Sequence, residues 1–247
     1  LVPFIFNFLV AKNFGDEVLG SVSISISFSL IITIFITNFF GSSGNKFLAE
    51  YRGSQNLNKF NHVIKLIFFG SFISLIICSI IIYFGWSSFY NLFSLPVDIR
   101  ITILAYIIVR TFYIIFRRVF YGIDLIKQYV IIEIVSGLLM ICSILYVCTN
   151  NLDALLIKTF IISYSFFILL SAITFVLNYK KIIFNLIEDK TFNSKVTSSI
   201  FYKYGFASMI GTVASTGTGY LSVIITGMYL TNSEAGIYSS ILSFISI

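Results

Sequence analysis

The sequence predicts an all-α, polytopic helical membrane protein: one six-helix lobe followed by the start of a second. Three observations predict it. Of 247 residues, 58% are hydrophobic and 11% charged, with a mean hydropathy of +0.99, whereas soluble domains carry roughly a quarter charged residues. The apolar residues fall into eight runs, six of them reaching the length of about 20 residues that a membrane-crossing helix needs. The basic residues collect in alternate loops.

Taken in order, the runs are Leu1 to Ala11, Leu19 to Phe40, Val63 to Phe84, Ile99 to Phe116, Tyr129 to Cys148, Ala154 to Leu177, Phe206 to Leu230 and Ala235 to Ile247. The first and last would cover only about 16 and 20 Å of a hydrocarbon core about 30 Å thick, so both ends read as cut and the chain as an internal fragment. In the second run, Ser21, Ser23, Ser25, Ser27 and Ser29 alternate with apolar residues in the period of a barrel strand. The alternation stops at LIITIFIT and the neighbouring runs are continuous apolar blocks, which short barrel strands do not contain. On a helix, Ser21, Ser25 and Ser29 share one face suited to close packing. The longest outer loop is Gly85 to Asp98.

The loops after runs two, four and six, with their flanking turns, hold Lys46, Arg52, Lys59 and Lys65, then Arg110, Arg117, Arg118 and Lys127, then Lys180, Lys181, Lys190, Lys195 and Lys203. Only Lys12, Arg100 and Lys158 fall on the other side. Thirteen against three places the even-to-odd loops in the cytoplasm by the positive-inside rule. The net charge of +6 therefore faces cytoplasm and headgroups rather than nucleic acid.

Several chemistries lack their parts. Cys78, Cys142 and Cys148 all lie in apolar runs without CxxC spacing, and His62 is the only histidine, so neither a catalytic triad nor a multi-histidine metal site can be assembled. The stretch Gly41 to Lys46 lacks the spacing of a phosphate loop and follows no strand. It reads as a tight turn followed by an amphipathic helix in which Lys46 and Glu50 form an i, i+4 pair. No cofactor is implied.

The two ends of the chain repeat each other. FLVAKNFGDEVLGSVSISISF around Gly20 lines up with ITGMYLTNSEAGIYSSILSF around Gly236, an offset of 216 residues. In both, an apolar helix ends in a short loop with an acidic residue, Asp16 and Glu17 or Glu234, and glycine opens a serine-rich helix ending at Phe28 or Phe244. This predicts a duplicated six-helix unit, with residues 1–204 as the first lobe and 205–247 as the start of the second, in a protein of about twelve helices.

The stretch GSSGNKFLAEYRGSQNLNKF from Gly41 to Phe60, together with the seventh run leading into TNSEAGIYSS, resembles the polysaccharide and O-antigen flippases of the multidrug/oligosaccharidyl-lipid/polysaccharide exporter superfamily, over essentially the whole chain. The resemblance implies a two-lobed transporter, not an enzyme. It would flip a lipid-linked oligosaccharide across the bacterial inner membrane during lipopolysaccharide or related polysaccharide biosynthesis, beside other polysaccharide-assembly proteins and without nucleic acid. The alternatives are a drug/cation antiporter of the same superfamily and a membrane-embedded glycan polymerase or glycosyltransferase.

A carrier of that cargo needs cations for pyrophosphate and aromatic, hydrogen-bonding surfaces for sugar. Thr102, Tyr106, Arg110, Tyr113 and Arg117 recur at helical spacing on one face of the fourth helix. Arg110, about 10 Å deeper than Arg117, must face a wet cavity or a partner. Glu133 on the fifth helix falls at similar depth, so Arg110 either contacts substrate or pairs with Glu133. The candidate substrate-binding residues are Arg110, Tyr106, Tyr113, Arg117 and Glu133. No acidic residue occurs between Phe206 and Leu230, which counts against cation coupling there. In that run Gly211, Ser215 and Gly219 form a small-residue ridge read as a helix contact.

Overall fold

Apolar runs that leave no backbone group free for lipid must close their hydrogen bonds internally, and here they do so as helices. The computed structural model describes residues 2–93, 95, 99–189 and 192–245. Leu1, Lys190, residues 246–247 and part of the predicted Gly85–Asp98 loop lie outside them. The first membrane helix is α1 (Val2–Phe14). The second is one continuous rod of α2 (Asp16–Ile36), a wide π-helical stretch (Thr37–Ser42) and α3 (Ser43–Gly53). α4 (Leu57–Phe93), α5 (Arg100–Gly122), α6 (Ile126–Thr149) and α7 (Leu156–Ile183) follow. The seventh membrane helix is α8 (Ser194–Thr212), a π-helical stretch (Val213–Gly217) and α9 (Thr218–Tyr229), and the eighth is α10 (Asn232–Ile245). Five of these segments are long and apolar enough to cross a bilayer. The chain is a helical, multi-pass membrane protein.

Burial follows the solvent that lipid provides. Phe69, Phe72, Ile76, Ile77, Ile80 and Phe84 of α4 are exposed, which water would penalise and acyl chains do not. The hydroxyls of the serine-rich helix are spent locally: Ser25, Ser29, Thr33 and Thr37 each donate to the carbonyl four residues back, at 2.7 to 2.9 Å. Their buried face is thereby made safe in an apolar setting.

The predicted turn at Gly41 to Lys46 is absent, because helix two runs through it. The glycines serve close approach instead. A Cβ on Gly41 would meet the Arg118 side chain at 2.8 Å, and one on Gly44 would meet Ile67 at 2.5 Å. Nor does Lys46 pair with Glu50. Its ammonium lies over the Tyr204 ring, 4.1 Å from the centroid. Most of the predicted Gly85–Asp98 loop is helical as well, since Trp86, Phe89 and Phe93 continue the inward face of α4 and the two phenylalanines pack on Phe28 at 5.6 and 5.4 Å.

The loops after the second, fourth and sixth helices meet at one end. Leu57 N and Ile187 N donate to Ile187 O and Gln55 O at 2.9 and 2.7 Å. Asn56 Nδ2 donates to Asp189 Oδ2 at 2.7 Å, and Arg52 pairs with Asp124 at 3.5 Å. At the opposite end the repeat becomes a contact. α2 starts at Asp16 and α10 at Asn232, separated by the same 216 residues as Gly20 and Gly236. A Cβ on Gly20 would lie 1.6 Å from Asn232 O, and a Cβ on Gly236 would lie 2.4 Å from Asp16 O. Each glycine thus abuts the equivalent carbonyl of the other copy, the reciprocity expected of a local two-fold axis. Glu234 caps α10, accepting from Thr231 N and Oγ1 at 2.9 Å each while Glu234 N donates to Thr231 Oγ1 at 3.2 Å.

Among the described residues, no helix packs on the ridge of Gly211, Ser215 and Gly219. A Cβ on either glycine would meet nothing within 4 Å, and Ser215 is exposed.

Candidate functional site

α5 packs against α7, and its central tyrosines, Tyr106 and Tyr113, are buried. Arg110 lies near the middle of this helix. Its Nη1 donates to Tyr164 Oη of α7 at 2.6 Å. The guanidinium carbon lies 4.8 Å from the centroid of the Tyr164 ring and 4.9 Å from that of Tyr113. Two aromatic faces therefore hold the cation. Tyr113 and Tyr164 themselves pack with their rings tilted and centroids 4.5 Å apart. Tyr106, only 2% exposed, packs edge-on to Phe160 at 6.0 Å and tilted to Tyr164 at 6.2 Å. From α9, Tyr220 lies close enough to interact electrostatically with Arg110.

Of the two alternatives for Arg110, the direct pair with Glu133 does not form. Among the described residues the ion pair present is Arg52 with Asp124. Tyr113 Oη donates instead to Glu133 Oε1 at 2.5 Å, while the ring of the same tyrosine lies beside the arginine. The physical reason is the length of Tyr113, which reaches from α5 to α6 and takes up the carboxylate before the guanidinium can. Both charges keep unspent capacity. Arg110 Nε and Glu133 Oε2 are buried and have no hydrogen-bond partner among the described residues. An arginine has five N–H donors, and the one bond to Tyr164 leaves a fork free for an anion.

Arg117 lies at the edge of this group, close enough to Tyr113 and Glu133 to interact electrostatically. It is exposed, with its guanidinium 5.8 Å from the Tyr129 ring centroid. Arg118, which sequence reading treats as an interface marker, turns inward to the π-helical stretch of helix two. Its Nη2 donates to Asn38 Oδ1 at 2.6 Å and its Nη1 to Ser42 Oγ. Tyr164, Tyr220, Asn38 and Ser42 were not among the expected residues. Asn38 and Ser42 carried a signal, two polar side chains one turn apart at the end of an apolar run. Tyr164 carried a fainter one, lying between Ser163 and Ser165 in an apolar helix.

The arrangement suits binding rather than bond chemistry, since a cation, two tyrosine faces and a carboxylate can grip an anionic, hydroxyl-rich ligand. Among the described residues, no three of His, Cys, Asp and Glu are grouped to hold a metal ion. A family model described as "Polysaccharide biosynthesis protein" matches residues 1–247. The chain belongs to this family. Its multi-pass helical build and a role in polysaccharide biosynthesis go together. Neither a curated protein nor a solved structure matches the chain.

Proposed function

We propose that this member of the polysaccharide biosynthesis family flips a lipid-linked oligosaccharide, such as an O-antigen repeat unit, across the bacterial inner membrane by alternating access. The observation that carries the reading is Arg110, a cation held mid-helix on two tyrosine rings with donors to spare and no carboxylate in direct contact. In a bilayer such a charge is costly unless it meets water or an anion, and a pyrophosphate-linked glycan supplies the anion. Tyr106, Tyr113 and Tyr164 offer faces for sugar, and Glu133 accepts from sugar hydroxyls. Arg117 guides the anion at the membrane surface. In this reading the protein is not an enzyme, residues 1–204 form the first lobe and 205–247 begin the second, with the reciprocal Gly20 and Gly236 contact at their junction.

Deleting the gene is expected to abolish the surface polysaccharide, leave the lipid-linked unit on the cytoplasmic leaflet and leave susceptibility to cationic dyes unchanged. A mutant that keeps its surface glycan but becomes dye-sensitive would replace the flippase with the antiporter.

The same reading orients the chain. Ser54 and Ser194 face the cytoplasm, and Ser88 and Asn151 the other side, because the basic residues collect thirteen to three in and around the loops that hold Ser54 and Ser194. All four positions are exposed. With Cys78, Cys142 and Cys148 replaced, a cysteine substituted at Ser88 or Asn151 is expected to react with an impermeant thiol reagent in intact cells. Labelling at Ser54 instead would invert the map.

A further inference from the structure

At the end where the three loops meet, a cavity of about 800 Å³ opens between the end of α3, the start of α6 and the end of α7. Arg52, Lys180 and Lys181 line it, and among the described residues no carboxylate does. The amides of Gln55, Gln128 and Asn178 add hydrogen-bond donors to the same wall. Asp124 pairs with Arg52 at 3.5 Å, but its side chain is 68% exposed, so water screens the pair and the cavity stays cationic. The wall is braced: Gln55, at a positive φ of 54°, accepts from Ile187 N at 2.7 Å, and Ile187 O accepts from Leu57 N.

What enters must also have an apolar part. Ile123, Leu125 and Leu186 form part of the lining, and Phe184 at the mouth is 84% exposed. From the cavity, α6 runs into the membrane with Ile126, Val130, Ile131 and Ile134 exposed, and α7 arrives beside it with Val176 and Leu177 exposed. A cationic, amide-lined recess therefore sits at the head of an apolar strip. A free anion would use the recess but not the strip. Basic recesses at helix ends, level with the headgroups, attract anionic lipid.

We propose that this recess binds the phosphodiester headgroup of an anionic glycerophospholipid, whose acyl chains lie along α6 and α7. The site is independent of Arg110, which faces Tyr164 and α9 rather than the ends of α6 and α7.

The test uses the purified full chain in detergent, titrated with phosphatidylglycerol or phosphatidylcholine and read by native mass spectrometry. Phosphatidylglycerol is expected to be retained at least tenfold more strongly. Each cation removed is expected to weaken retention about fivefold, the factor equivalent to about 1 kcal/mol, so Lys180→Gln with Lys181→Gln should cost about 25-fold. Lys195→Gln with Lys203→Gln, which removes the same charge outside the recess, should leave retention unchanged. Equal losses in the two double variants would overturn the site, reducing it to bulk charge. Displacement of phosphatidylglycerol by equimolar glycerol 3-phosphate would overturn the lipid assignment in favour of a soluble phosphoester. Arg110→Ala is expected to retain the lipid, and loss of retention there would move the lipid to the flippase site and overturn the proposal, whatever became of transport.

Discussion

Arg110→Ala, introduced at the chromosomal locus, is expected to lower surface polysaccharide tenfold or more while the protein remains in the membrane at its normal level. The guanidinium makes one hydrogen bond to Tyr164 and rests on two rings, so alanine removes little packing that Tyr113, Tyr164 and Phe167 do not already supply to one another. What is lost is the cation. A hydrogen bond to a charged group is worth about 1.5–3 kcal/mol, and losing one to a phosphate costs about 10- to 150-fold in affinity. Arg110→Lys should fall between, because the charge survives and the planar fork does not. The check is paired: immunoblots of membranes for protein level, and extraction of the surface glycan for transport. Normal glycan in Arg110→Ala would remove this residue from the site.

The second large effect is structural. Gly20→Ala is expected to lower the melting temperature of the purified protein by about 5 °C or more, since overpacking costs roughly 1–3 kcal/mol and a backbone carbonyl cannot swing aside as a side chain can. The obstacle is Asn232 O, 1.6 Å from where the new Cβ would sit. Gly236→Ala should do the same against Asp16 O at 2.4 Å. Gly211→Ala and Gly219→Ala are the controls, having nothing within 4 Å. Those should match the parent or gain slightly, because alanine favours helix over glycine. Thermal unfolding of the four variants in one detergent decides it, and the opposite ranking would refute the crossing of α2 and α10.

Some of this was legible beforehand and some was not, for definite reasons. Long apolar runs mark membrane helices because burial of the backbone in lipid admits few alternatives, so the eight segments could be read from hydropathy. Their ends could not. Phe89 and Phe93 extend α4 beyond the apolar core because they find a partner on α2 in Phe28, a tertiary fact that hydropathy does not contain. The glycines at 41 and 44 read as a turn, whereas Arg118 and Ile67 need the space their missing side chains leave. At the candidate site, the spacing on α5 brought out Tyr106, Arg110 and Tyr113. Similar depth left pairing with Glu133 open as one alternative for the arginine, and depth could not show that Tyr113 reaches the carboxylate. Tyr164 was invisible as a partner because helical spacing orders residues within one helix and says nothing of which neighbour it faces.

The wide stretch of helix two, Thr37–Ser42, has a bearing on how one rod can serve two settings. An α-helix turns about 100° per residue, and a single extra residue accommodated in a broadened turn rotates everything beyond it by about that angle without breaking the rod. On the near side of the stretch the inward azimuth carries hydroxyls: Ser25, Ser29 and Thr33. On the far side it carries Phe47, Leu48 and Tyr51. The stretch acts as a phase shifter, letting the membrane half bury a row of hydroxyls while the terminal half presents rings to Phe201 and Tyr204. Arg118, braced on Asn38 and Ser42, holds that phase offset from outside the rod.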